Sequence, residues 1–392
     1  MNTKKISGNS QKATFSDVAR QRKKSVDREN NPFEKYVEGG HIESEDLRIK
    51  SFGVFSEGYV GPAFHRLFER GNILYGSRRT YLKKIAVADF DGITSNTTFV
   101  IEPKNTNLLC GDLLPYLMLT DNFTKHSVLN SKGSTNPYVN WSDLEKFTFL
   151  VPSKAKQKSI LNILRLSDLS VYTAEAAKIS CQALQMTLIH ETFVRKAGWV
   201  DYRLGELCEI KGGRQRSPKY EAGVNPIKYL RPANIKKGLF RDDDIKEMDF
   251  NAEELINYSL AHGDILLVEG GEETDVGDSL FWRNQIEGPV AFQNTLLRLR
   301  ADKARISSSA LYWLMVYMHR FGHFRSIAAG TKIKHIGSKK TSEITVSLPK
   351  NLDSIDKKVC LLNEIDLHIT SLDNKIAQAK NLRKRLINKL LG

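Results

Sequence analysis

Apolar residues come in short bounded runs over most of this chain, and twice they settle into a seven-residue repeat. The runs Ile73–Tyr75, Thr98–Ile101, Ile265–Val268 and Leu296–Leu299 are each closed off by Gly, Pro, Asn or Asp, the pattern of strands ended by turns. A helix pattern covers Ser309–His319, ahead of Gly330-Thr331, and Leu113–Asp121 is its counterpart, with Pro115 in the opening turn where proline is tolerated. After Pro152 and after Pro349 the texture changes. Residues 153–196 and 350–391 hold neither proline nor glycine. In the second stretch Leu362, Ile369, Ile376, Arg383 and Leu390 recur every seven residues, with Ile365, Leu372, Ala379 and Leu386 three positions later. That is the a/d seam of a coiled coil. In the first stretch Leu164, Val171, Lys178 and Gln185 run beside Ser167, Ala174, Cys181 and Leu188. A helix of this length spans about 60 Å.

The bounded runs repeat as well. RGNILYG at 70–76 pairs with HGDILLV at 262–268, and NPFEKYVEGGHI at 31–42 with NPIKYLRPANI at 225–235. TSNTTFVI at 94–101 pairs with FQNTLLRL at 292–299, Gly133-Ser134 with Gly330-Thr331, and FLVP at 149–152 with VSLP at 346–349. The shared order and near-constant offset indicate an internal duplication, and two copies mean a pseudo-twofold rather than a solenoid. The expected layout is a mixed α/β unit over 1–151, a long helix over 152–197, a second unit over 198–349 and a second long helix over 350–392. The helices are expected to pair antiparallel and hold the units apart.

Composition narrows the classes. The chain has 392 residues, 41% hydrophobic and 27% charged, the balance of a globular protein with two cores. No run of about 18 apolar residues predicts a membrane span, and the polar, basic start MNTKKISGNSQKATF does not read as a secretory signal, so a cytoplasmic location is expected. The cysteines Cys110, Cys181, Cys208 and Cys360 are widely spaced and read as packed thiols, not zinc ligands. The formal net charge of +14 points to a polyanionic partner, nucleic acid first. Two basic units at a fixed separation suit a split target on one duplex, whose equivalent faces recur about every 34–36 Å.

The cations that could grip DNA lie in loops. In the first unit they are Arg78, Arg79, Lys83 and Lys84, with Tyr81 among them, and Ser134, Thr135 and Asn136 occupy the place of a second-unit cluster. In the second unit they are Lys211, Arg214, Arg216 and Lys219 in KGGRQRSPK, where glycines permit close backbone approach, and Thr331, Lys332, Lys334 and His335. Lysine grips phosphate without reading sequence, arginine also clamps guanine, and a carboxylate accepts from a cytosine amino group. GDILLVEGGEETDVGD at 263–278 places Glu269 and Glu272 where the first copy carries arginines, so these acids are candidate readers and not metal ligands. The coil's basic end, at Lys380, Arg383, Lys384, Arg385 and Lys389, suits a helix C-terminus.

VPSKAKQKSILNILRLSD (151–168), GDILLVEGG (263–271), GPVAFQNTLLRLR (288–300) and NLRKRLINKLL (381–391), in this duplicated order, resemble the specificity subunits of type I restriction–modification systems. The resemblance covers essentially the whole chain and implies two target-recognition domains alternating with two long helices. It also implies that the chain is not itself an enzyme. It would bind double-stranded DNA and scaffold two methyltransferase subunits, which carry S-adenosylmethionine and methylate adenine N6, and motor–nuclease restriction subunits that use ATP and magnesium. The residues agree: NPYV at 136–139 lacks the second proline of an amino-methyltransferase loop, no GxxxxGK[ST] loop is present, and HETF at 190–193 lacks a second histidine. Two other readings remain at this stage. One is a stand-alone DNA-binding or architectural protein, and the other is a nuclease using Asp242–Asp244.

Overall fold

The computed structural model describes residues 11–27, 31–220, 223–328, 330 and 334–392. The chain divides into two compact units, Met1–Ala176 with Asp373–Gly392, and Ala177–Leu372.

In the first unit a four-stranded antiparallel sheet has the spatial order Ala19–Arg22, Thr98–Pro103, Ile73–Gly76, Ile85–Val87. The second unit repeats it with Cys208–Gly212, Leu296–Ala301, Ile265–Val268 and Ser279–Phe281. Ile73 lies opposite Ile101 as Ile265 lies opposite Leu299. A second sheet is also duplicated. Lys35–Val37 runs parallel to Gly92–Ser95 and antiparallel to Gly53–Val54, and Pro226–Leu230 stands in the same way to Val290–Phe292 and Lys246–Asp249. The first unit adds Phe64–Phe68 against Gly92–Ser95. Each unit is closed by a short pair next to a long helix, Gln11–Thr14 with Thr148–Val151 and Val200–Arg203 with Thr345–Leu348. The fold class is thus mixed α/β and internally duplicated.

The central strands are buried on both faces, so they read as continuous apolar runs rather than alternating ones. Ile265 and Leu267 face a core shared with Leu311 and Met315 of the helix Ser308–Arg320. Leu266 and Val268 face Val290 and Phe292 of the second sheet. In the first unit Ile73 and Tyr75 face the helical side and Leu74 the other. The helical counterpart differs here. Leu114–Leu119 stops at Thr120, whose hydroxyl caps Phe123 N, and the chain restarts as Asp121–Leu129. Ser308–Arg320 has no such internal cap and runs unbroken.

The long helices are Lys154–Phe193 and Asp353–Leu391. In the first unit Ile160, Leu161 and Leu164 share a core with Ile387 and Leu391, and in the second Ile189 and Phe193 share one with Ile355, Val359 and Leu362. Within each unit the helical segments run antiparallel, Asp168 meeting Arg383 and Gln185 meeting Asp366. Leu164, Val171, Leu362, Ile365, Leu372 and Ile376 are buried, whereas Leu188 and Ile369 are half-buried. At the end of the second helix burial passes from Leu386 to Ile387 and from Leu390 to Leu391. The seam thus steps round by one position from the sequence pattern, as a straight 3.6-residue helix drifts from a seven-residue repeat. Among the described residues no helix is long and apolar enough to cross a membrane, no group of three or more His, Cys, Asp or Glu could hold a metal ion, and the four cysteines are unpaired.

Candidate nucleic-acid interface

At one end of the first unit's main sheet the strands Ala19–Arg22 and Ile73–Gly76 finish and Thr98–Pro103 begins. Ser77 N donates to Thr97 O at 3.0 Å, and Ser77 O accepts from Val139 N at 2.9 Å. These bonds set the next residues beside a second loop: Arg78 bridges Tyr138, and Arg79 N donates to Pro137 O at 2.7 Å. That loop is pinched shut where Lys132 and Tyr138 exchange backbone hydrogen bonds of 2.8 and 2.9 Å, displaying Ser134, Thr135 and Asn136. Arg78, Arg79, Tyr81, Lys132, Ser134, Thr135, Asn136 and Tyr138 are all exposed. Arg79 stands at φ 48°, a left-handed conformation that costs a non-glycine residue about 1–3 kcal/mol and recurs at functional sites.

Two cations expected on this surface turn away from it. Lys83 is 7% exposed, and its ammonium donates to Leu119 O at 3.2 Å and Asp121 Oδ1 at 2.6 Å, with Glu45 Oε1 at 3.3 Å. Its charge is spent inside the unit, because a buried ammonium needs partners. Lys84 donates to Gly39 O and is half-buried. In exchange the same sheet end carries exposed Lys23 and Lys24, which follow directly on Arg22 and are tied in by Leu67 N to Lys24 O at 3.0 Å. Sequence reasoning passed over them. The signal was there, since Arg22, Lys23 and Lys24 fall on Lys211, Gly212 and Gly213 of KGGRQRSPK when Ile101 is set on Leu299.

The second unit builds the same end from the same backbone contacts. Glu269 N donates to Thr295 O and Ile336 N donates to Glu269 O, both at 3.0 Å, repeating the two bonds at Ser77. Gly270–Gly271 then pair with Lys334–His335, where Arg78 meets Tyr138 in the first unit. A Cβ at Gly270 would sit 2.2 Å from the His335 ring, so any larger residue there would push that exposed ring aside. Glu269 is half-buried, and burial pushes its carboxyl up against the opposing pull of His335. Glu272 is exposed, and its carbonyl accepts from Asp275 N and Val276 N. Thr331 and Lys332 lie outside the described residues, as does the Lys334 side chain.

The KGGRQRSPK segment reaches this end too, since Gly213 N donates to Leu296 O and Asn294 N to Arg214 O. Its glycine serves the sheet rather than a ligand: a Cβ at Gly213 would lie 2.2 Å from Gln293 O. Arg214 is also a correction. It is 6% exposed, lies over Tyr220 at 3.5 Å and Phe250 at 4.5 Å, pairs with Glu254 at 2.5 Å and donates to Asp249 O. Lys211 is half-buried and donates to Asn257 Oδ1 at 2.6 Å. Arg216 and Lys219 are exposed and flank this core. Arg216 also lines a cavity of about 360 Å³ with Tyr229, Arg231 and Lys246. In the Asp242–Asp244 turn, Asp244 is neutralised by Arg231 and Lys246, each at 2.6 Å.

Each unit therefore offers one sheet end on which loops of different sequence hang from matching main-chain bonds. The first is rich in exposed cations, and the second mixes Arg216 and Lys219 with Glu269 and Glu272. Comparison with known proteins agrees with this duplication. The type I restriction enzyme EcoDI specificity subunit of Escherichia coli is 29% identical over 157 residues, which are 40% of this chain and 33% of that relative. This chain thus matches about a third of the relative's length. Two solved structures share the fold over nearly the whole chain. A chain of a type I R-M system, solved for its complex assembly and conformational transition, has a TM-score of 0.61 at 18% identity, covering 99% of both chains. The type I restriction–modification system S subunit from M. genitalium has a TM-score of 0.60 at 13% identity, covering 100% of this chain and 98% of that one. The family model of the type I restriction modification DNA specificity domain matches twice, over residues 11–178 and 196–381, once for each copy of the sheet, and the chain belongs to that family.

Proposed function

We propose that this chain is the DNA-reading subunit of a type I restriction–modification enzyme and carries out no bond chemistry itself. Each unit reads one half of a two-part, asymmetric double-stranded target. The long helices fix the gap between the halves and dock two methyltransferase subunits and, where present, the restriction subunits. S-adenosylmethionine, ATP and magnesium belong to those partners.

The observation that carries this reading is the duplicated sheet end with unlike loops. Matching frames holding Ser77, Arg78 and Arg79 in one copy and Glu269, Gly270 and Gly271 in the other suit two different half-sites. Arg78, Arg79, Lys23, Lys24, Arg216 and Lys219 are placed to meet phosphates or guanines, with Tyr81, Ser134, Thr135 and Asn136 beside the first group. Glu269 and Glu272 are placed to accept from a cytosine amino group.

Co-expression with the cognate modification subunit, followed by methylome sequencing, is the test. The expected result is one bipartite motif, and exchanging residues 1–150 for those of a relative should change one half of it alone. If both halves change, or neither, the assignment of one unit to one half is refuted. Glu269→Gln with Glu272→Gln should relax a single position of the other half.

A further inference from the structure

The coiled-coil segment of the first unit contains a buried ionic layer that the heptad pattern does not call for. Arg383 occupies a seam position of the second helix and Asp168 stands beside the seam of the first, next to Ser167, and both are buried. Arg383 Nη1 donates to Asp168 Oδ1 at 3.1 Å, Tyr116 Oη donates to Asp168 Oδ2, and Arg383 Nη2 donates to Glu45 O. One layer therefore joins the first long helix, the second long helix, the short helix Leu114–Leu119 and the segment 43–50. That segment is pinned to the sheet edge by Val87 N to Leu47 O at 2.8 Å.

A second layer lies one to two turns along. Arg48 packs over the Tyr172 ring at 3.5 Å and pairs with Glu175 at 2.5 Å, and Glu175 also pairs with Lys380 at 2.7 Å. The duplication supplies the comparison. At the offset that sets Leu164 on Leu362, Asp168 falls on Asp366 and Arg383 on Gln185. In the second unit those two meet only through a 3.4 Å hydrogen bond, and burial pushes the Asp366 carboxyl up. The charged layer is a property of one copy and not of the shared fold.

A buried ion pair is a poor way to gain stability, since well-packed apolar residues of similar volume do as well or better. Its best-attested use in a coiled coil is to specify register. Here the donors and acceptors match in one axial alignment. A slide of a single residue, about 1.5 Å, would take Arg383 away from both Asp168 and Glu45 O. One base pair of DNA rises about 3.4 Å, only slightly more than two residues of helix.

We propose that Asp168 and Arg383 are a positioning pair. They lock the register of the long helices in the first unit, and through Glu45 the seat of the recognition domain on them, so that the enzyme accepts one gap between its half-sites. The inference rests on the DNA-reading function proposed above and adds residues that touch neither base nor phosphate.

The test uses the full chain co-expressed with its modification subunit, on a library of targets whose gap varies one base pair at a time. Asp168→Leu with Arg383→Leu removes the charges without leaving either one alone. The expected variant melts no lower than the wild type and methylates the same half-site sequences. Its preference for the native gap over a gap one base pair longer falls at least about tenfold. Tyr116→Phe, which takes one hydrogen bond from Asp168 and keeps the ring, should lower that preference about threefold, and it decides the matter should the double variant fail to fold. An unchanged gap preference in a folded variant would overturn the assignment, and so would altered half-site sequences with the gap preserved. A wild-type enzyme with no two-part target would refute the DNA-reading function itself, and this inference with it.

Discussion

Arg214 offers the sharpest test of how charge is divided between scaffold and ligand. Replacing it with Met keeps a long apolar stem and removes the guanidinium. Four interactions are lost: the faces of Tyr220 and Phe250 at 3.5 and 4.5 Å, the Glu254 pair at 2.5 Å, and the bond to Asp249 O. A desolvated cation–π contact contributes about 2 kcal/mol and a charge-assisted hydrogen bond about 1.5–3 kcal/mol. Methionine packing recovers part of this, so a net loss of about 3 kcal/mol is expected. For a unit of this size that lowers Tm by about 6–12 °C. Circular dichroism melts read the stability, and DNA affinity measured over a salt series reads the other possibility. A phosphate contact contributes about 0.9 to the slope of log affinity against log salt. The expected variant melts early yet keeps the wild-type slope below its melting temperature. A melt within about 2 °C of wild type together with a slope reduced by one contact would refute the scaffold role and return Arg214 to the DNA surface.

Arg78→Ala with Arg79→Ala should leave the fold intact and reduce the salt slope by about 1.8 if both meet phosphate. Lys83→Met, in contrast, should lower the melting temperature and leave the slope unchanged. Gly277→Ala should cost about 2–5 kcal/mol by denaturant titration, because Gly277 stands at φ 85° and an added Cβ would lie 2.3 Å from the Phe324 ring. The ionic cluster on the first long helix predicts acid lability. Burial raises the Glu175 carboxyl, but Lys380 and Arg48 outweigh it and hold the group at about 2. Asp46 is likewise held below its ordinary value by Arg48 and Lys50 against the opposing effect of burial. Lys50 also pairs with Glu43. A carboxyl lowered on folding stabilises fully above its unfolded value and loses that contribution as pH falls towards the folded one. Stability of the first unit should therefore decline from about pH 5 towards pH 2, and Glu175→Gln should flatten the decline. A wild-type profile that stays flat over that window would contradict the pairing.

Much of the architecture was written in local pattern. Runs such as Ile265–Val268 become central strands because both faces are covered, and the Asn-Thr repeats fall on the turns whose Thr97 and Thr295 carbonyls accept the equivalent amides. What the linear pattern could not carry was the direction of individual cations. Lys83 and Arg79 sit four residues apart in one basic stretch. Lys83 meets Asp121 and Glu45 from distant parts of the chain, and no spacing rule signals such a meeting. Arg214 was hidden for the same reason, its partners Phe250 and Glu254 lying about 40 residues on. In the coil, Arg383 was visible as an odd member of the seam. Its meaning depended on Asp168, which is more than 200 residues away in sequence. Lys23 and Lys24 were missed because the duplication is weakest where the sheet's first strand ends.

The bonds that hold the reading loops in place at Ser77 and Glu269 join main chain to main chain, so they make no demand on side-chain identity. Arg78 and Arg79 in one copy and Gly270 and Gly271 in the other hang from the same bonds without disturbing the sheet, whereas Gly213 has no space for a Cβ against Gln293 O. Under the function proposed above, such a frame would let new DNA preferences arise by replacing one cassette at a time. The other half of the target, and whatever docks on the helices, would be inherited unchanged.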